Sequence, residues 1–127
     1  MSILNNKVAI VTGTTAESIG RACAIAIAKA GAKVVVTGRT ESGGKETEKQ
    51  IRDLGKEAIY IKHDVTKEED WLRVVEICIK EYGKVDILLN NSGESRGGPI
   101  ENLKLDDLHF LLRVNVEGPF LGAKISG

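Results

Sequence analysis

Three short stretches of the chain carry residue types whose chemistry exceeds packing. The first is Thr12-Gly13-Thr14-Thr15-Ala16-Glu17-Ser18-Ile19-Gly20, entered from the β-branched run Val8-Ala9-Ile10-Val11. An alanine-rich segment follows it, with Ile19, Ala22, Cys23, Ala26, Ile27 and Ala30 three and four apart, closed by Gly31. That order reads as strand, glycine-bearing turn and amphipathic helix. Unpaired N–H groups and the positive dipole end at such a helix start suit a pyrophosphate. Gly13 supplies the positive φ of a tight turn, and Gly20 allows close approach of helix and strand. The second stretch is Asn90-Asn91-Ser92-Gly93, a polar, glycine-rich exit from the run at 85–89, apolar but for Asp86. The third is Asn115 with Pro119. A proline at that spacing has no N–H for the Asn115 carbonyl, which is freed to hold a water or simply marks a kink.

Other reactive residue types carry less. Ser92 has no neighbouring base that would make it a nucleophile. His63 and His109 lack metal-ligand spacing, so no metal site is expected and both read as surface or rim residues. Cys23 and Cys78 fall on expected buried helix faces, as two reduced core thiols of a cytoplasmic protein.

The positioning elements repeat one pattern. Residues 33–37 form a second strand, and 40–54 a polar helix capped by Thr40 and stopped by Gly55, with Gly43 and Gly44 weakening its start. Residues 57–61 form a third strand. Thr66-Lys67-Glu68-Glu69 reads as a capping box opening a helix with Trp71, Val74, Val75, Cys78, Ile79 and Tyr82 on one face, ended by Gly83. Residues 85–89 make a strand of the type buried on both faces, 90–99 a loop, and a last helix from about Asp106 uses Leu108, Leu111, Leu112 and Asn115. Strands alternating with helices predict an α/β fold, a doubly wound parallel sheet with its first strands ordered 3-2-1-4. The ligand crevice then opens at the carboxyl ends of strands one and four.

With 127 residues the chain is at most one domain. Lysine plus arginine and aspartate plus glutamate each number 18, without like-charge blocks, so neither nucleic acid nor an anionic membrane is favoured as a partner. The apolar segments are too short to cross a bilayer.

In its motifs the chain resembles the short-chain dehydrogenase/reductase family over essentially its whole length. The resemblance is carried by Thr12-Gly13 with Ser18-Ile19-Gly20, Asp64-Val65, the run from Asp86 to Gly93, and Val114-Asn115-Val116-Glu117-Gly118-Pro119-Phe120. It implies a Rossmann-like domain that binds NAD or NADP and a parent reaction moving hydride to or from a carbonyl or alcohol carbon. Gly13, Thr14, Ser18, Ile19 and Gly20 would surround the pyrophosphate. Asp64 would accept from the adenine amino group beside the Val65 backbone, while Asn91, Ser92 and Gly93 would line the ribose and nicotinamide side. Asn115 would take the place of the family's catalytic asparagine, which anchors a water in a proton relay.

Two features depart from the family pattern. The glycine turn has one extra residue, and Ser18 stands at the middle glycine. The family's serine and Tyr-x-x-x-Lys pair lie beyond the fourth helix; Tyr60 and Tyr82 are followed four residues later by Asp64 and Asp86. The domain is therefore expected to be incomplete, truncated after the fourth βα unit, as the cofactor-binding part of an oxidoreductase. The alternative is a catalytically inactive dinucleotide-binding or interaction module. Gly38-Arg39 at the end of the second strand lacks the carboxylate that reads a ribose 2′-hydroxyl, so Arg39 points to NADP over NAD, unless it is only a solvated arginine. Glu17 argues the other way. The free edge of the fourth strand, and the family's habit of pairing through helices here, predict a homo-oligomer.

Overall fold

The computed structural model describes residues 2–95 and 98–127; Arg96 and Gly97, inside the expected 90–99 loop, lie outside the described residues. Its elements are β1 (Val8–Val11), α1 (Ile19–Lys29), β2 (Lys33–Gly38), α2 (Glu41–Asp53), β3 (Ala58–Lys62), α3 (Glu68–Tyr82) and β4 (Ile87–Leu89). A 3₁₀ turn (Ile100–Asn102), α4 (Leu105–Leu112), a π-helical segment (Arg113–Glu117) and α5 (Gly118–Ser126) complete it. The four strands are parallel and ordered β3-β2-β1-β4, the doubly wound arrangement expected from the alternation.

Pleating sends alternate residues to opposite faces, and both faces are covered. Val11, Val34 and Val36 meet Ala24 and Ala28 of α1 and Ile51 of α2 on one side. Val8, Ile10 and Val35 meet Val74 and Cys78 of α3 on the other. At the carboxyl end of the second face, Val65, Trp71 and Val114 form a smaller cluster. Asp86 ties the start of β4 to β1 by accepting the Val8 N–H at 2.9 Å and the Lys84 ammonium at 3.0 Å. β4 lies at the sheet edge and is only half-buried, short of the two-sided burial its apolar run suggested.

Several local expectations are corrected. The inward ridge of α1 is Gly20, Ala24 and Ala28; Ala22 and Ala26 are exposed, and Cys23 is half-buried. A helix laid tightly on a sheet turns its smallest residues inward, because only they let the backbones approach. The same holds in the last helix, where Val114, Gly118 and Gly122 face inward while Leu108 and Leu112 are exposed. A Cβ on Gly122 would lie 2.6 Å from the Trp71 ring, so Trp71 fills the space glycine leaves.

The Thr66 capping box does not form. Thr66 donates its amide (2.9 Å) and hydroxyl (2.7 Å) to the Asp64 carboxylate, and α3 starts one residue late, with Lys67 at its cap position. A hydroxyl bond to a charged carboxylate is stronger than one to a neutral backbone amide. Glu68, Glu69 and Asp70 in the first turn supply the compensating negative charge at the dipole.

Candidate functional site

At the carboxyl ends of the strands lies an open groove of about 800 Å³. It is built on β1, whose last turn is held from three sides. The buried Thr12 hydroxyl accepts the amides of Asn91 and Ser92, each at 3.0 Å, which staples the β4 exit loop to the turn. Thr14 is equally buried, and both its amide (3.1 Å) and hydroxyl (3.0 Å) donate to the Thr37 carbonyl at the end of β2. From below, the Thr47 hydroxyl of α2 donates to the Thr14 carbonyl and accepts the Arg21 Nε–H at 2.8 Å.

Glycines allow this crowding. Gly13 has φ +71°, and a Cβ on Gly20 would lie 2.2 Å from the Gly13 carbonyl oxygen. Gly43, a poor residue for a helix start, passes so close to Thr15 that a Cβ would lie 1.6 Å from its carbonyl oxygen. Gly44 does the same under the Tyr60 ring. The glycine pair that weakens α2 as a helix thus docks it beneath the turn.

Of the residues expected at the site, Gly13, Ser18, Ile19, Arg39, Asp64, Val65, Asn91, Ser92 and Gly93 line the groove. Thr14 and Gly20 stand behind it as supports, and so does Asn115, whose side chain is used by the loop after β4. Its carboxamide accepts the Glu94 N–H at 2.9 Å and donates to the Glu94 carbonyl at 2.8 Å. Around it the helix widens: the Gly118 N–H reaches back five residues to the Arg113 carbonyl, a π-type bond that accommodates the Pro119 ring one residue on. The Asn91 side chain donates to the Gly13 carbonyl at 3.2 Å.

Ser18 caps α1 without a side-chain bond, its hydroxyl turning back to the Ala16 carbonyl at 3.0 Å. The first-turn amides of α1 therefore remain open at the groove. Opposite them, burial would raise the Asp64 carboxyl, but the two Thr66 bonds and nearby Arg39 outweigh it and hold the group below its ordinary value. Among the described residues Asp64 Oδ2 takes no hydrogen bond. Among the described residues the Ser92 amide is bonded to Thr12, and its hydroxyl has no basic partner.

His63, expected at the surface or a rim, borders the groove but is only 1% exposed. Its Nδ1 lies 2.8 Å from the Thr37 hydroxyl and its ring packs edge-on against Trp71 at 4.3 Å, while Nε2 has no partner among the described residues. A strand carried one residue further than expected turns this side chain inward. The sequence marks Thr12 only as part of the glycine-bearing stretch, not as the hydroxyl that staples the β4 exit loop, and no local signal marks the pairing of Glu94 with Arg39.

Neither tyrosine is set up as an acid. Burial raises the Tyr60 phenol, which donates to the Gly38 carbonyl at 2.7 Å. Burial, with Glu57 beside it, pushes Tyr82 up to about 12. No group of metal-ligating residues occurs among the described residues, and no helix there is long and apolar enough to cross a membrane.

Sheet order, glycine turn and helix N-terminus at the crevice define a doubly wound, Rossmann-like α/β domain. The short chain dehydrogenase family profile matches residues 7–126, and the chain belongs to that family. It is 38% identical over 119 residues to an uncharacterized oxidoreductase of Listeria innocua, covering 94% of this chain and 48% of that protein. Tropinone reductase-like 1 of Erythroxylum coca is 40% identical over 125 residues, 95% of this chain and 44% of its own. Among solved structures, a mutant Serratia marcescens short-chain dehydrogenase/reductase superposes with a TM-score of 0.91 at 31% identity, over 97% of this chain and 50% of that one. The chain thus spans about half the length of these relatives.

Proposed function

We propose that this chain binds a nicotinamide dinucleotide, NADP in preference to NAD, and is the cofactor-binding part of an oxidoreductase acting on a carbonyl or alcohol. The observation that carries the reading is the open, uncapped α1 N-terminus facing a groove that runs from Arg39 to Gly93. The α1 amides and Ser18 would hold the pyrophosphate, with Gly13 allowing its close approach. Asp64 and the Val65 backbone would receive the adenine, Asn91, Ser92 and Gly93 the riboses, and Arg39 a 2′-phosphate. The bound nicotinamide supplies the hydride chemistry; this chain's residues bind, orient and shield. Asn115 positions the Glu94 backbone at the rim.

Titration calorimetry of the folded chain with NADPH and NADH tests the reading, and binding of neither would end it. Arg39→Ala should weaken NADPH by roughly 1–3 kcal/mol, the range for charge-assisted bonds, and leave NADH nearly unchanged. The alternative, a catalytically inactive dinucleotide-binding module, uses the same groove. On either reading the isolated chain should reduce no carbonyl panel member above a heat-killed control, for want of a Tyr-x-x-x-Lys pair.

A further inference from the structure

The same groove is bridged by an ion pair. Arg39 follows β2 and Glu94 lies beyond β4, and β1 runs between those two strands. The contact between Arg39 Nη2 and Glu94 Oε1, 3.3 Å long, therefore crosses above the end of β1, where the glycine turn begins. Glu94 is the fixed partner, since Asn115 clamps its backbone at both N–H and carbonyl. Arg39 is the movable one, with its side chain 60% exposed.

Arg39 also borders a second cavity, of about 420 Å³, lined by Lys62, Lys67 and Arg73 together with Asp64 and Asp70. Arg73 is committed to Asp70 (3.4 Å) and the Lys62 carbonyl (2.6 Å). Lys62 and Lys67 form no close ion pair among the described residues, although Lys67 helps hold the Asp64 carboxyl down, and both ammonium groups border the space into which the guanidinium could turn.

Building on the assignment of Arg39 to a 2′-phosphate, we infer that Glu94 determines cofactor selectivity by competing for Arg39. In the free chain the guanidinium rests on Glu94. A 2′-phosphate draws it toward the side of Lys62 and Lys67, and a nucleotide lacking that phosphate leaves it in place. The carboxylate thereby lowers affinity for the phosphorylated nucleotide alone. Exposed pairs of this kind are worth little, which bounds the effect to about two- to fivefold.

The test uses adenosine 2′,5′-bisphosphate and 5′-AMP, which differ only in the 2′-phosphate, titrated into the parent chain, Glu94→Gln, Arg39→Ala and the double variant. Thermal unfolding confirms that each is folded. Glu94→Gln should tighten the bisphosphate about two- to fivefold, leave 5′-AMP within experimental scatter, and lose its advantage in the Arg39→Ala background. Equal tightening of both probes, or a gain that persists without Arg39, would show a general field effect and overturn the competition. A strong Arg39→Ala effect with none from Glu94→Gln removes this inference while leaving the phosphate assignment intact. Indifference of the bisphosphate to Arg39→Ala removes the assignment itself, and absence of binding by either probe removes the dinucleotide reading with it.

Discussion

Acid should loosen this domain through His63. The imidazole is enclosed by Thr37 of β2 and Trp71 of α3, with no solvent to receive a charge. Burial, opposed by Asp70 and Asp64 and reinforced by Arg73, lowers its pKa from 6.5 to about 4. The folded value lies below the unfolded one, so as pH falls the unfolded chain takes up the proton first. The contribution is intact above pH 6.5, drains away between 6.5 and about 4, and is gone below that. That gap corresponds to about 3 kcal/mol, a large share of the ~5–15 kcal/mol that holds a typical domain. Asp64 and Asp86, both held below their ordinary value, lose their contributions at lower pH than this window. Urea unfolding at pH 7 and pH 4.5, followed by fluorescence of the single tryptophan, Trp71, reads the loss. Replacing His63 by Phe removes the titrating ring, and the stability difference between the two pH values should shrink by about 2–3 kcal/mol. The comparison is one of slopes, so a variant weaker at neutral pH still decides it. Parallel pH dependences in the two proteins would refute the argument, since His63 would then be charged at little cost.

Gly43→Ala should cost about 1–3 kcal/mol in chemical unfolding, because its Cβ must displace the Thr15 backbone. Gly55→Ala, in open space, should show only the cost of φ +76°, roughly 1 kcal/mol; equal losses would mean that the α2–turn contact is loose. Asn115→Ala removes both bonds to the Glu94 backbone, so the Glu94 amide should exchange several times faster with deuterium, whereas unchanged exchange would mean that another group holds the rim. The isolated chain should self-associate in light scattering across a dilution series, given the free edge of β4 and exposed Leu105, Leu108, Val116 and Phe120. A monodisperse monomer with protected amides at 87–89 would count against it.

Local periodicity and punctuation determined most of the architecture. β1 falls on its expected residues, Gly31, Gly55 and Gly83 all take positive φ where the helices stop, and the 3-2-1-4 order follows from right-handed crossovers between parallel strands. The groove residues were legible for the same reason: in this architecture the ends of the strands are the ligand edge, whatever the rest of the chain does. The face of α3 was legible too, through Trp71, Val74 and Cys78, but the inward faces of α1 and the last helix were not. α1 and the last helix each carry two apolar stripes, and periodicity cannot say which one faces the sheet; the distance of closest backbone approach decides it, in favour of Gly20, Ala24 and Ala28, and of Gly118 and Gly122. The Thr66 box likewise lost to an Asp64 carboxylate within reach of the same hydroxyl. Contacts between residues remote in sequence, Thr12 with Asn91 and Ser92, His63 with Thr37, and Arg39 with Glu94, exist only once parallel strands bring their ends to one edge. Types and spacing along the chain determine which elements form, whereas which polar groups meet is a property of the space between them.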